Sequence, residues 1–419
     1  MSPTVYSARR TAHAMVAQFL RHHGYTDTLA QFRREAEDGL EHIPAEGEYT
    51  PLEQLLEEGE LSRRMSALTL EKEENAGFYQ PDPLPIPKRP ICSYDLPSAV
   101  ITARTHSVPE PCLVASCTDR SLRFISLEDH LPLSDGPLNP HEAVVLAVDF
   151  HPTHPNWMLT GAMDGSAQIT DITASGAKIA SWKDHTKYVV QAMFVGSEWA
   201  CTGSYDGTLI IYHYDPTGEV DPDGGQWVQT AKITLPGPVE GMCGDAENST
   251  LYLSTRSSNH IHLYHLPDLL LPGAQETLVQ PIRRINLNVN GDDWCSFTAT
   301  HLALSSEASG RYLAVSTDSS LGLVSVYTTK EGRHLQSWWA GDVGDLARGR
   351  CTWAGRRLIS APGDREVHVL DPAFSTSTSS CTLNDHTGNV RNVWYDPERH
   401  WIVSCGFDRA IRVWGAEEA

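Results

Sequence analysis

The chain has 419 residues, with 32 Lys and Arg against 53 Asp and Glu, a formal net charge of −21. That balance repels phosphate backbones and anionic bilayers unless the basic residues are gathered in one run, and no such run occurs, so direct nucleic-acid and membrane binding are not expected. No apolar stretch long enough to cross a bilayer and no secretion signal is visible, and nine scattered cysteines form no C-x-x-C pair, which leads us to expect reduced thiols in an intracellular protein, cytoplasmic or nuclear.

The first elements are helical. Met15, Val16, Phe19 and Leu20 recur at helical steps, Gly24-Tyr25 interrupts them, and Leu29 and Phe32 resume the pattern. Gly24 suits the position just past a helix end, and Thr26 or Asp27 can cap the next helix. Two helices this short cannot bury both apolar faces alone, so they pack against a second copy or dock on their own chain. The run VAQFLRHHGYTDTLAQFRRE resembles the LisH family in Phe19-Leu20, Gly24-Tyr25, Thr28, Phe32 and Glu35, with Leu29 where that family usually carries Ala. The resemblance implies a homodimer formed through Val16, Phe19, Leu20, Tyr25, Leu29 and Phe32.

Thr50-Pro51-Leu52-Glu53 then reads as a capping box, predicting a helix over about 51–74, either a short coiled coil or a solvated spacer. The stretch QPDPLPIPKRP at 80–90 carries five prolines and predicts an extended linker. We therefore expect a helical segment over 1–40, a helix and proline-rich linker over 41–96, and a β domain over 97–416.

From residue 97 the pattern changes to short β-branched strands with Asp-Gly-type turns, and one unit recurs. Its clearest copies begin at His141, His185 and His386, and the turn positions 119, 164, 206, 259, 319, 364 and 408 are spaced 42 to 60 residues apart, the longer steps marking insertions. Seven units of this length, each of four strands, predict a seven-bladed propeller. These residues resemble the WD-repeat family, although several units lack its GH and WD dipeptides. Within a blade, a turn Asp can accept a hydrogen bond from the opening His while a strand hydroxyl joins the network. The sets are His141, Thr160 and Asp164; His185, Thr202 and Asp206, with Tyr212 in the Trp position; and His386, Ser404, Asp408 and Trp414. They recur at blade spacing, so they are read as structural. Trp414 ends the third strand of the last blade, which leaves 89–96 to supply its outer strand.

No nucleophile elbow, P-loop, dinucleotide fingerprint or zincin motif appears, so no catalytic residue, cofactor or metal is assigned. His260, His262 and His265 read as an outer strand with exposed imidazoles rather than a metal set, and the acidic loop 215–225 lacks calcium-hand spacing. The run from Ser375 to Ser380 reads as a polar loop or a phosphorylation site. What remains is surface. In the family it resembles, partner peptides usually bind the top face, which here implies Met163, Tyr188, Tyr205, Glu240, Arg391 and Phe407. The insertions at 214–226 and 267–278 would lie on the opposite face.

The resulting expectation is a non-enzymatic scaffold that is dimerised through its helical front end and docks partner proteins. The order of parts is similar to that of the lissencephaly-type dynein regulators. Other LisH propellers serve as co-repressor subunits, splicing factors or ubiquitin-ligase components. The alternatives are a hydrolase or metal enzyme with its site in the channel, and a modified-peptide reader, for which Arg391 is the chief basic residue in view.

Overall fold

The computed structural model describes residues 16–17, 19–35, 78–80, 82–83, 85–133, 138–173, 176–217, 226–270, 279–288, 295, 297–305, 311–341, 343, 348–373 and 381–415. They fall into two compact units, Met1–Ala76 and Gly77–Ala419. The expected helix over 51–74 and the serine run from Ser375 lie outside the described residues, as does most of the acidic loop.

In the first unit, helical residues 16–17 and 19–22 lead to Gly24, whose φ of +73° places it in the left-handed region that closes helices. The Tyr25 N–H donates to the Leu20 carbonyl at 2.9 Å across this turn, and a helix, α1 (Thr26–Glu35), follows. Leu29 is buried, Val16, Phe19, Leu20 and Phe32 are half-buried, and Tyr25 is 53% exposed.

The second unit is a propeller of seven antiparallel sheets. We letter the strands of each blade a to d in their hydrogen-bonded order. Blade one has three (Val100–His106, Cys112–Cys117, Leu122–Ser126), and its outer edge is closed by two isolated bridges, Leu122 to Leu138 and Ile125 to Pro132. Blade two comprises Val145–Phe150, Trp157–Ala162, Ala167–Asp171 and Ala177–Trp182, and blade three Val189–Val195, Trp199–Ser204, Thr208–Asp215 and Gln226–Thr234. Blade four comprises Val239–Asp245, Thr250–Thr255, His260–His265 and Arg283–Asn286, and blade five Ala299–Leu304, Tyr312–Thr317, Leu323–Thr328 and His334–Trp339. Blade six comprises Arg350–Ala354, Arg357–Ala361, Glu366–Leu370 and Cys381–Asn384. Strands a to c of blade seven are Val390–Asp396, Trp401–Gly406 and Ala410–Trp414, and strand d is Pro90–Asp95.

Each strand a packs on the next around the circle, and that of blade seven returns to that of blade one, so the seven a strands line a central channel. The b strands are buried along nearly their whole length, as the middle layer of a stacked blade must be. Hydroxyls stitch neighbours together at the inner edge: Ser116 donates to the Val145 carbonyl at 2.6 Å and Ser254 to that of Ala299 at 2.8 Å. The ring is locked where Pro90–Asp95 pairs with Ala410–Trp414, Asp95 lying opposite Ala410 and Pro90 opposite Trp414. Chain segments more than 300 residues apart thereby share one sheet, and the last blade has no bare edge there.

The proline-rich stretch differs from the linker expected. It belongs to the propeller unit, and residues just before it are packed down: Phe78 is buried with its ring 4.9 Å from Tyr312. Asp82 is buried at the a–b turn of blade six, where its Oδ2 accepts from the Arg356 N–H at 2.7 Å. Gly355 makes this seat, since its φ is +60° and a Cβ there would lie 2.4 Å from the Asp82 carboxylate. The compact unit thus begins at Gly77, ahead of the prolines.

Candidate partner-binding face and channel mouth

The His–Asp sets are brought together as blade supports. In blade seven all four members meet: His386 Nδ1 donates to Asp408 at 2.9 Å, its Nε2 lies 2.8 Å from Ser404 Oγ, and Trp414 Nε1 donates to that same oxygen at 2.8 Å. Blade three is built differently. His185 Nε2 meets Thr202 at 2.9 Å, but its Nδ1 meets the Thr208 hydroxyl at 2.8 Å, and that hydroxyl donates to Asp206 at 2.5 Å. The Tyr212 hydroxyl donates to Asp184 at 3.2 Å. Blade two repeats the bridged arrangement, with Ser166 between His141 and Asp164, and Thr160 on the far side of the ring.

The bridging hydroxyl was not among the residues singled out from sequence, yet its signal is plain: Asp-x-Ser or Asp-x-Thr at Ser166 and Thr208, against Asp408-Arg409-Ala410 in blade seven. In blade seven, where the third residue offers no hydroxyl, the carboxylate takes the imidazole directly at 2.9 Å, whereas in blade three the direct approach of Asp206 to His185 is 3.5 Å. Burial pushes the His141 pKa down to about 4, with Asp164 opposing, and lowers His185 and His386 in the same way. Burial alone would raise the turn carboxylates, but their hydrogen bonds outweigh it, and Asp206 is held near about 2, chiefly by Thr208. A neutral imidazole fixed between two oxygens braces a turn; the same chemistry at three blades is not a single catalytic site.

The residues chosen for the top face separate into two sets. Tyr188, Phe407 and Met163 stand exposed at 45%, 51% and 37%. The other three line the upper end of the channel. Glu240, second in strand a of blade four, is buried, and its carboxylate is clasped by Arg256 Nη2 at 2.6 Å and Arg348 Nη1 at 2.7 Å. The Tyr205 hydroxyl accepts from Arg256, and from Arg348 at 3.4 Å. Arg348 precedes strand a of blade six, so a residue of blade six meets blades three and four across 143 and 108 positions of sequence, which in a seven-bladed ring happens only at the axis. Glu240 is therefore an internal counterion rather than an exposed contact.

Two further arginines point into the same place by position, Arg350 and Arg391, first and second residues of their a strands. Burial pushes the Arg350 pKa down to about 10, Arg391 adding to the effect; Arg391 itself is lowered by burial and then by Arg348. Arg348 is raised despite its burial, because Glu240 and Tyr205 outweigh it. Aromatic faces hold two guanidinium groups: Arg256 lies 4.7 Å over the Tyr205 ring and Arg391 5.7 Å over that of Phe407. Tyr188 stacks on Tyr205 at 6.2 Å. Among the described residues, no hydrogen bond, ion pair or ring contact joins the Met163 side chain to this cluster.

Arg391 is thus one of four arginines, and the expectation of a single chief basic residue is corrected. Arg348 and Arg350 were missed because they sit in a stretch with no other signal, and Arg256, although it lies beside the b–c turn of blade four, was passed over because that blade's repeat is degenerate. The histidine expectation is also corrected: His260–His265 is a third strand, not an outer one, and His262 is buried with its pKa pushed down to about 4 by desolvation. His265 instead meets Asp268 at 3.0 Å. The described residues do include one group with metal-like spacing, Asp364, Glu366 and His368, whose ligand atoms lie within 4.8 Å of one another. Its Asp is the b–c turn residue of blade six and accepts from the Glu366 N–H at 2.9 Å, the same bracing seen in other blades.

Comparison with known families agrees with this architecture. Residues 12–40 match a LisH domain, and residues 135–171 and 377–415 match the WD domain, G-beta repeat, the two stretches that hold blades two and seven. The chain is a seven-bladed propeller with two stretches that match the WD repeat, preceded by a helical segment that matches a LisH domain. The WD repeat-containing protein 44 of Xenopus laevis is 29% identical over 161 residues, 36% of this chain and 17% of that protein, so the chain matches well under two thirds of that relative. WD-repeat propellers typically serve as non-enzymatic interaction scaffolds, and LisH domains generally mediate dimerisation. Among the described residues, no helix is long and apolar enough to cross a membrane.

Proposed function

We propose that this WD-repeat protein is a non-enzymatic adaptor that dimerises through its LisH domain and presents the top face of its propeller to partner proteins within a larger assembly. The observation that carries the reading is the face itself: Tyr188 and Phe407, large and exposed, flank a recessed group of arginines and Tyr205 at the channel mouth. Aromatic and arginine side chains of this kind bury much area for little lost entropy, and neither exposed ring supports the blade core. Two linked copies raise the effective concentration of each weak contact and turn it into avidity. The test is affinity purification from the native cell with wild type and a Tyr188→Ala, Phe407→Ala double variant. A partner set lost in the variant supports the top face, and an unchanged set removes it. For dimerisation, light scattering on the full chain and on Tyr25→Glu should give a dimer and a monomer; a wild type that stays monomeric at tens of micromolar defeats it.

A further inference from the structure

Blade six lacks the imidazole with which the clearest blades brace the b–c turn. In blades two, three and seven a His from the loop that opens the blade bonds a strand-b hydroxyl on one side and reaches the turn Asp on the other. The sequence has no His between His334 and His368, so the loop that opens blade six cannot supply one. Leu370 also stands where blade seven has Trp414, whose indole donates to Ser404. Ser360, the counterpart of Ser404, is 2% exposed, and its hydroxyl is left without a partner. A buried polar group of this kind costs stability until something bonds it. On the same side the chain gathers three ligand-type groups. Asp364, Glu366 and His368 alternate through the turn into strand c, and their donor atoms lie within 4.8 Å of one another. His368 is directly opposite Ser360 in the b–c pairing, so imidazole and hydroxyl share a face. An ion pair does not account for the group, since His368 Nε2 is 3.7 Å from Glu366, too far to share a proton, and no Lys or Arg pairs with either carboxylate among the described residues. The adjoining stretches 342–347 and 374–380 contain Asp342 and Asp345 but no Lys or Arg, so neither offers a cation.

We propose that Asp364, Glu366 and His368 form a binding site for one zinc-class divalent metal ion, which takes over the bracing that an opening His gives other blades. The donor set selects the metal class. Two carboxylates and an imidazole suit zinc, with water completing a four-coordinate shell, whereas calcium and magnesium favour oxygen ligands alone. Tetrahedral ligands held about 2.1 Å from zinc sit roughly 3.4 Å apart. The 3.7 Å between His368 Nε2 and Glu366 is already near that spacing. The ring is also oriented for the task, because His368 Nδ1 lies 3.5 Å from the Thr382 hydroxyl of strand d, which can take the Nδ1 proton and leave the Nε2 lone pair toward Glu366. One Asp364 oxygen accepts the Glu366 N–H at 2.9 Å, and the main-chain carbonyl of Asp364 accepts the Val390 N–H of blade seven at 2.7 Å. An ion held by the other Asp364 oxygen therefore stiffens the turn and the seam between blades six and seven together. Its two positive charges match the two carboxylates, and water completing the shell is the natural partner for the Ser360 hydroxyl on the same face. The inference does not rest on the partner-binding reading above.

The test uses the purified full chain, stripped with a chelator and kept reduced, and titrates zinc chloride against a chromophoric competitor for wild type, Glu366→Gln and His368→Gln. Wild type is expected to hold one zinc ion per chain more than either variant, each substitution weakening that ion at least about a hundredfold. Reading the difference between chains removes any zinc held by cysteines or other histidines. The Glu366 side chain is 44% exposed, so Glu366→Gln keeps the fold and decides the question if His368→Gln does not. Zinc should also raise the melting temperature of wild type and not that of Glu366→Gln, while calcium or magnesium at the same concentration raises neither. Equal zinc stoichiometry and affinity in wild type and Glu366→Gln overturns the site. A melting shift given equally by calcium, or zinc binding that survives in a folded His368→Gln, removes the imidazole from the site and overturns the zinc assignment.

Discussion

At the lower end of the channel Arg104 of blade one lies 2.6 Å from Asp149 of blade two, stacks 4.0 Å over the Trp394 ring of blade seven, and the other Asp149 oxygen accepts the Phe194 N–H of blade three at 2.8 Å. At the upper end Arg350 and Arg391, on equivalent strands, face other arginines instead. The two mouths are made by the same seven a strands, so the contrast does not come from the fold. Below, the Arg104–Asp149 pair ties one blade to the next; above, Arg350 and Arg391 make no ion pair among the described residues. An ion pair that joins blades is a structural device, and unmatched charge beside exposed rings suits the partner-binding face proposed above.

The largest way to break this comparison is to unpair the lower mouth. Asp149→Ala leaves the Arg104 guanidinium without its carboxylate and the Phe194 N–H without its acceptor, and should cost about 3 kcal/mol in chemical denaturation. Arg391→Gln at the upper mouth should cost nothing or raise stability by up to about 1 kcal/mol. Equal losses at both ends would mean that the upper arginines are structural as well.

The next effect is of pH. His301, in the channel wall below Arg350, is pushed down to about 3, first by burial and then by Arg350; His141 and His262 are pushed down to about 4. Their unfolded values lie near about 6.5, so between those limits the unfolded chain binds more protons and stability falls as pH falls. The contribution is complete above about pH 6.5 and is lost progressively toward about pH 3 to 4, with a slope approaching about 1.4 kcal/mol per pH unit for each group. Arg350→Gln should move the acid transition to lower pH by relieving His301. An acid limb unchanged in that variant would separate His301 from the upper mouth.

The fold could be read from sequence because its signals are local. A turn Asp at 119, 164, 206, 364 and 408, with Asn259 and Ser319 in the remaining blades, falls between strands b and c every time, since the hydrogen bonds that define a turn join residues two apart, as Asp119 to Ser121 and Asp408 to Ala410. The same locality brought out Tyr205, which neighbours such a turn. Arg348 and Arg350 gave no such signal. Their meaning comes from Glu240 and Tyr205, more than a hundred residues away, and periodicity along one blade carries no information about what a distant blade places at the axis. The strap at Phe78 and Asp82 was hidden for the same reason: its partners are Tyr312, Arg356 and Arg357.

The smallest effect tests how far the basic mouth extends. In blades two and three the residue after the turn Asp is Gly165 or Gly207, at φ of +82° and +79°, where blades one and seven place Arg120 and Arg409 at +73° and +67°. A left-handed arginine costs about 1 to 2 kcal/mol relative to glycine in the folded state, part of which glycine returns by gaining freedom in the unfolded chain. Arg409→Gly should therefore raise stability by only about 0.5 kcal/mol. The Arg409 side chain is exposed and its residue lies two positions beyond Phe407, which backs Arg391. If capture of native partners is unchanged while the melting temperature rises, Arg409 belongs to the turn alone and the binding face ends at Phe407. If capture falls as stability rises, the strain at Arg409 is sustained for binding, and the upper mouth gains an exposed arginine where Arg104 at the lower mouth is held by Asp149.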